Sequence, residues 1–84
     1  MKAYYVTFRS VTFAQRAQAR LAAEGIACTL RRTPKWMEKQ GCGYCLQLQV
    51  PFGAAAVEIL HRERMEFRKI YLEKGDSSME EVWL

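Results

Sequence analysis

Two cysteines separated by two residues carry the most chemistry in this sequence. They lie in the segment Cys42-Gly43-Tyr44-Cys45. Two thiols at this spacing can form a disulfide, share a metal ion, or pass a sulfur atom from one to the other. Glycines on both sides of Cys42 leave its sulfur with little steric cover. The sequence therefore predicts a reactive thiol at Cys42, with Cys45 as a second, resolving thiol.

The residues before this pair are basic, and positive charge near a thiol favours the reactive thiolate form. We expect these cations to stabilise the anion or to steer an acidic partner. Trp36 lies among them and is expected to pack on the sheet, cover the thiols or contact a partner. With the pair itself, the candidate binding residues are Gly43, Arg31, Arg32, Lys35, Lys39 and Trp36.

A metal site and a disulfide oxidoreductase are weaker interpretations of the same pair. A structural zinc ion needs four ligands, and Cys42 and Cys45 supply only two. Cys28 is expected at an inward strand position and His61 on a solvated helix face, so a zinc ion would have to be shared across a homodimer. In thioredoxin-type sites a helix follows the first cysteine, whereas a strand is predicted here.

Composition limits the remaining possibilities. The 84 residues make one domain, and half of them are hydrophobic. Residues 1–75 carry a net charge of +7 and the last nine residues −3, which gives +4 in total. A basic body can attract an acidic protein, a small anion or nucleic acid, but Arg31-Arg32 and Arg68-Lys69 are runs too short to favour RNA. An odd cysteine count, with no signal peptide or membrane span, predicts a reduced, cytoplasmic protein.

Hydrophobic periodicity divides the chain into four strands and two helices. The first strand covers Tyr4 to Arg9, and a T-x-x-Q capping box at Thr12, with Ser10 as its rival, begins the first helix. Gly25 ends that helix, and a second strand begins at Ile26. Thr33-Pro34 predicts a short helical turn.

The second half repeats this pattern. The third strand opens at Cys45 and stops at Pro51, a helix covers Ala54 to Met65, and a fourth strand covers Phe67 to Glu73. The last residues, 76–84, form an acidic tail in which 77–81 favour a brief helix and Trp83-Leu84 could dock. The aromatic residues expected in the core are Tyr4, Phe8, Phe13, Phe52, Phe67 and Tyr71.

This β-α-β-β-α-β order predicts an α+β fold, a ferredoxin-like sandwich over residues 1–75. Its sheet would have four antiparallel strands with both helices on one face. The first and third strands would be central, so that the cysteine loop opens a central strand. The open sheet makes a homodimer a reasonable expectation.

The order of short motifs resembles a small bacterial family described as putative selenium/sulfur carrier protein-like domains. The resemblance covers about residues 4–72. It rests on Tyr5-Val6-Thr7-Phe8-Arg9-Ser10, an alanine-rich helix, Thr33-Pro34-Lys35, and Cys42-Gly43 ahead of a strand. The sequence departs from the family pattern at Cys45, where an ordinary strand residue is expected.

The resemblance implies that Cys42 accepts sulfur or selenium from a donor protein and delivers it to an acceptor protein. The alternative is a non-catalytic binding or regulatory module whose Cys-x-x-Cys is a redox switch or a metal half-site. No acid–base pair, nucleotide-binding loop or hydrolase triad is recognisable in the sequence. A carrier or a binding protein is therefore favoured over a stand-alone enzyme, and no cofactor is expected.

Overall fold

An antiparallel sheet is the framework of this protein. The structure is a computed structural model, and it describes residues 3–33, 43–75 and 78–83. Within these ranges the elements are β1 (Ala3–Phe8), α1 (Val11–Ala23), β2 (Thr29–Arg32), β3 (Tyr44–Gln49), α2 (Gly53–Arg62), β4 (Ile70–Glu73) and β5 (Met79–Val82). A 3₁₀ turn at Val50–Phe52 leads directly into α2.

The described strands form one antiparallel sheet in the order β2-β3-β1-β4-β5. An α+β fold is confirmed, and β1 and β3 both lie inside the sheet as expected. The predicted four-stranded sandwich was wrong in strand number, because a fifth strand extends the sheet beyond β4. Register places Phe8 opposite Tyr44 and Arg31 opposite Cys45.

The fifth strand comes from the segment predicted to be a tail with a brief helix. Met79–Val82 instead pairs with β4, with Val82 opposite Ile70. The edge of β4 offers unpaired N–H and C=O groups, and a partner strand satisfies them, an advantage that a local capping pattern does not reveal. Trp83, expected to dock, is 86% exposed, and Leu84 lies outside the described residues.

The main core lies between the sheet and the two helices, which pack on the same face. It is built from Val6, Phe8, Leu46, Leu48 and Ile70 of the sheet and Ala14, Ala17, Leu21, Ala56, Val57, Ile59 and Leu60 of the helices. Phe8, Leu21, Leu46 and Leu60 are completely buried. Each such side chain contributes roughly 1.5–3 kcal/mol through removal of apolar surface from water.

Most of the aromatic residues predicted in the core do contact it. Phe8 is fully buried, while Tyr4, Phe13 and Phe67 pack against the main core from partly buried positions. Phe52 was placed wrongly, since it is 40% exposed. It lies on the 3₁₀ turn after Pro51, a surface corner where the chain leaves β3 for α2.

Helix α1 begins two residues earlier than its capping box suggested. Ser10 is the N-cap, and its side chain accepts a hydrogen bond from the Phe13 N–H. Thr12 therefore lies within the first turn. Two potential caps two residues apart are both plausible in sequence, and the end of β1 at Phe8 decides between them.

Several element ends differ from those predicted. The second strand begins at Thr29 rather than Ile26, since the Gln18 side chain donates to the Cys28 carbonyl. Helix α2 stops at Arg62 rather than Met65, and β4 starts at Ile70 rather than Phe67.

None of the helices in the described ranges is long and apolar enough to cross a membrane.

Both helices end in the same backbone motif with different residues at its left-handed position. After α1 this position is Gly25 (φ 85°), and after α2 it is Arg64 (φ 55°). The N–H of Ile26 bonds to the Leu21 carbonyl at 2.9 Å, and Met65 bonds to Leu60 in the same way at 2.9 Å. Glycine is favoured at this position, and a side chain there costs roughly 1–2 kcal/mol.

Candidate thiol site

The described site residues lie at the end of the sheet where β1 and β2 finish and β3 begins. Arg32 and Phe8 are both opposite Tyr44, the first residue of β3. Just beyond, the Thr33 N–H donates to the Gly43 carbonyl at 3.0 Å and extends this ladder by one step. Gly43 follows Cys42 in the chain, so the start of β3 anchors one side of the cysteine segment.

Several predicted site residues cannot be placed in this way. Cys42, Lys35, Trp36 and Lys39 lie outside the described residues, as does the helical turn predicted after Thr33.

Cys45 is buried on the face of the sheet opposite the helices. Only 1% of it is exposed. It forms a small cluster with Ala3 and Tyr5, against which Tyr71 and Met79 pack. A thiol held in a central strand is well positioned but has little access to reagents in solution.

Burial also makes the Cys45 thiol a weak acid. It raises the pKa of Cys45, while the nearby Thr33 hydroxyl and the positive charge of Arg31 lower this pKa by smaller amounts. The Thr33 hydroxyl oxygen is buried and has no hydrogen-bond partner of regular geometry in the described structure. At neutral pH Cys45 is predominantly a neutral thiol.

The two arginines of β2 present positive charge next to this site. Arg31 lies opposite Cys45 and donates to the Gln47 side chain at 2.7 Å. The Arg32 guanidinium lies 5.9 Å from the centre of the Tyr44 ring. Within the described residues neither arginine is ion-paired with a carboxylate. They place two positive charges at this end of the sheet.

The other residues considered for a metal site are engaged in packing. Cys28 packs against the main core, and burial raises its pKa to about 11. His61 is exposed and stacks on Phe67, with ring centres 5.5 Å apart. Among the described residues no group of three or more His, Cys, Asp or Glu side chains is arranged to hold a metal ion. Cys42 is not among these residues.

Sequence reasoning missed the two threonines that surround Cys45. Thr7 is opposite Cys45, and its hydroxyl accepts from the Lys69 N–H at 3.0 Å. Thr33 was interpreted only as a helix cap, yet its hydroxyl acts on the Cys45 thiol. Alternation along β1 offered one signal, since Thr7 lies on the same face as Tyr5. The pairing of β1 with β3 was needed to bring it to Cys45.

Comparison with known families gives one match, over residues 3–72, to the family described as Putative Se/S carrier protein-like. Comparison with curated proteins and with solved structures gives no match. The matched range starts with β1, includes the cysteine segment, and ends in β4, leaving β5 outside. It spans most of the chain, and the protein therefore belongs to the Putative Se/S carrier protein-like family.

Proposed function

We propose that this protein carries sulfur or selenium on Cys42 between a donor protein and an acceptor protein. The observation that carries the proposal is the family match over residues 3–72, which includes Cys42-Gly43. The positive charge of Arg31 and Arg32 at the start of β3 supports it, because cations favour a thiolate and a bound persulfide anion. Lys35 and Lys39 add charge in the same segment, and Trp36 is proposed to contact the partner.

Loading is an exchange of one sulfur atom. The Cys42 thiolate attacks the outer sulfur of a donor persulfide, R–S–SH, and a new sulfur–sulfur bond forms on Cys42. The bond within the donor breaks, and the donor leaves as the thiolate R–S⁻. Cys42 then holds S–SH, and an acceptor thiolate removes the outer sulfur by the same reaction.

Cys45 is proposed to limit the lifetime of this carrier state. Its thiolate attacks the inner sulfur of the Cys42 persulfide, a disulfide forms, and HS⁻ leaves. Fully extended residues 42–45 would place the two Cα atoms about 10 Å apart, whereas a disulfide needs about 4.4–6.8 Å. Gly43 would supply the necessary bend. Because Cys45 is buried with a raised pKa, this release should be slow at neutral pH.

Intact-mass spectrometry of reduced, metal-free protein after exposure to a persulfide donor tests the proposal. We expect the mass to increase by one sulfur atom in the unaltered protein and in Cys45→Ala, but not in Cys42→Ala. The adduct should persist longer in Cys45→Ala, since the resolving thiol is absent. Cys28→Ala is the matched control, because it removes a partly buried thiol outside the pair and should load normally.

The pH dependence of sulfide release tests the role of Cys45 separately. Release from loaded protein should accelerate as pH rises, because a larger fraction of Cys45 becomes thiolate, and this acceleration should be absent in Cys45→Ala. Loading that survives Cys42→Ala, or no sulfur adduct at all, would disprove the carrier proposal. Loss of two protons without a sulfur adduct would favour the redox switch. Zinc that copurifies with the protein would favour the metal half-site.

A further inference from the structure

The Thr33 hydroxyl is a buried polar group without a hydrogen-bond partner. Only 5% of Thr33 is exposed, and within the described residues its Oγ1 atom is buried and makes no hydrogen bond. Buried hydroxyls are normally paired, because a group that gives up its bonds to water and finds no replacement destabilises the fold. An unpaired hydroxyl next to reactive groups indicates a partner that forms in another chemical state of the protein.

The ladder between β2 and β3 places this hydroxyl on the same face of the sheet as the Cys45 thiol. Arg31 lies directly opposite Cys45, and Thr33, two residues later, shares the face of Arg31. The Thr33 N–H bonds to the Gly43 carbonyl at 3.0 Å, so Thr33 continues the ladder opposite Gly43. Glycine has no side chain, and the next side chain of this strand on that face is therefore Cys45.

Thr7 flanks Cys45 from the other neighbouring strand, but its hydroxyl is already occupied. It lies opposite Cys45 in the ladder between β1 and β3. Its hydroxyl accepts from the Lys69 N–H at 3.0 Å and donates to the Lys69 carbonyl at 3.2 Å. A hydroxyl has one hydrogen to donate, so Thr7 has none left for the sulfur. Of these two threonines, only Thr33 has a free donor.

The two protonation states of Cys45 offer this donor very different acceptors. A neutral thiol is a weak acceptor, which agrees with the unpaired Thr33 hydroxyl in the structure. A thiolate carries a negative charge, and hydrogen bonds to charged acceptors are roughly twice as strong as those between neutral groups. Because a hydroxyl hydrogen can rotate, Thr33 can turn its donor towards the sulfur once the thiol proton has left.

We propose that Thr33 donates a hydrogen bond to the Cys45 thiolate and so enables this buried thiol to act as the resolving nucleophile. Thr33 is a positioning residue, since its backbone holds Gly43, next to Cys42, and its side chain acts on Cys45. In the resolving step the Cys45 proton passes to water or buffer, and the thiolate attacks the inner sulfur of the Cys42 persulfide. A disulfide forms and HS⁻ leaves.

The hydrogen bond stands independently of the carrier role. Its existence rests on the burial, the register and the unpaired hydroxyl of Thr33. Its effect on sulfide release rests on the proposed function. The two are therefore tested by separate measurements, of which the first requires no sulfur donor.

Other charged and titratable groups share this face and act on Cys45 in every variant alike. Burial raises the pKa of Cys45, and the positive charge of Arg31 lowers it. The substitutions used in the test leave all of these groups in place, so their influence is constant. By register they are Arg31 of β2, Tyr5 of β1, Lys69 before β4, Tyr71 and Glu73 of β4, and Glu81 of β5.

The first test follows the ionisation of Cys45 by NMR of reduced protein that carries ¹³C at its cysteine β carbons. Spectra are recorded from pH 7 to 10.5, and the Cys45 signal is identified by its loss in Cys45→Ala. We expect Thr33→Val to raise the pH at which Cys45 ionises, because the donor is lost at nearly constant volume. Thr33→Ser keeps the hydroxyl and should restore the original ionisation. Thr7→Val is the matched control and should leave it nearly unchanged.

Thermal unfolding separates this hydrogen bond from a structural role. Thr33→Val removes a hydroxyl that has no partner to lose, so its unfolding midpoint should stay the same or rise. Thr7→Val removes both bonds to Lys69, and its midpoint should fall by roughly 4–8 °C. A midpoint that falls further in Thr33→Val than in Thr7→Val would show that Thr33 is structural and would overturn the proposal.

Sulfide release from loaded protein gives the second readout. Each unit of pKa changes the thiolate fraction tenfold, but a more basic thiolate is also a better nucleophile, which offsets part of this change. At pH 7.5 Thr33→Val should therefore release sulfide about threefold more slowly than the unaltered protein, and the difference should narrow as the pH rises. When Cys45→Ala is already present, Thr33→Val should have no effect on release.

Equal ionisation of Cys45 in Thr33→Val and in the unaltered protein would overturn the proposal. A Cys45 signal that shows no ionisation up to pH 10.5 in either protein would overturn it as well, as would failure of Thr33→Ser to restore the original behaviour. Because ionisation is measured without loading, the two proposals can fail separately. The expected shifts in a chain that takes up no sulfur would disprove only the carrier role.

Discussion

At the scale of single residues, burial decides what each described thiol can do. Cys45 is enclosed between strands on one face of the sheet, and Cys28 packs against the core on the other. Burial raises the pKa of both thiols. Both are therefore poor nucleophiles at neutral pH, which is why we propose Cys42 as the reactive thiol.

The raised pKa of Cys28 predicts a loss of stability in alkaline solution. Its folded-state pKa is about 11, above the ordinary value of 9.0. The contribution of Cys28 to the free energy of unfolding is fully present below pH 9. It declines from pH 9 to 11 because the unfolded chain loses the Cys28 proton first. Since Cys28 is partly exposed, we expect this residue to contribute on the order of 1 kcal/mol to the decline.

Urea denaturation in reductant at pH 8, 9, 10 and 10.5 measures this decline. In Cys28→Ala the starting stability should be lower, but the decline with pH should be smaller than in the unaltered protein. Cys45 and Tyr5, whose pKa values are also raised by burial, account for the remaining slope. Identical slopes in the two proteins would show that Cys28 is not a source of the pH dependence.

At the scale of elements, the β3–α2 corner is a tightly constrained connection. Pro51 stops the strand and Gly53 begins the helix. A Cβ atom at Gly53 would overlap the ring of Tyr4, which packs against the main core from β1. This glycine is therefore needed for close packing of helix and sheet and not for an unusual φ.

Gly53→Ala should destabilise the fold by about 1–3 kcal/mol, the usual cost of forcing an extra methyl group into a packed site. Gly75→Ala is the matched control, because a Cβ there has nothing within 4 Å. The midpoint of urea unfolding should fall in the first variant and remain nearly unchanged in the second. A midpoint for Gly53→Ala equal to that of the control would mean that Tyr4 moves aside without cost.

At the scale of the whole molecule, β5 forms the edge of the sheet next to β4. It pairs with β4, and its Met79 covers the small cluster around Cys45. Its glutamates pair with basic residues of the body, with Glu81 at 3.7 Å from Lys69 and Glu80 at 3.8 Å from Lys74. Exposed pairs of this kind add little stability, so packing and strand pairing are the main contributions of β5.

Truncation after Gly75 tests this role. Without β5 the edge of β4 is free and the cluster on that face is less covered, so the melting temperature should fall and self-association should rise. We expect a loss of roughly 1–3 kcal/mol, comparable to that of a buried core contact. Thermal unfolding and light scattering on a sizing column measure both effects. A truncated chain that remains monomeric and equally stable would show that β5 is dispensable.

Local pattern was sufficient to predict most of this fold. Alternation predicted β1 and β3, a three- to four-residue apolar repeat predicted both helices, and Gly25 marked a helix end by its freedom to adopt a positive φ. The motif order around Cys42-Gly43 also indicated the family. These features follow from the chemistry of neighbouring residues, and neighbours are visible in the sequence.

Features that depend on residues distant in the chain needed the tertiary structure. Residues 79–82 form a strand only because the edge of β4 is there to pair with them. Cys45 acquires its raised pKa from burial against side chains of other strands. Phe13 of α1 and Phe67 before β4 pack against the same core, and no local spacing in the sequence predicts this. Burial and long-range pairing are properties of the folded chain, and they determine which of the sequence's reactive groups are accessible.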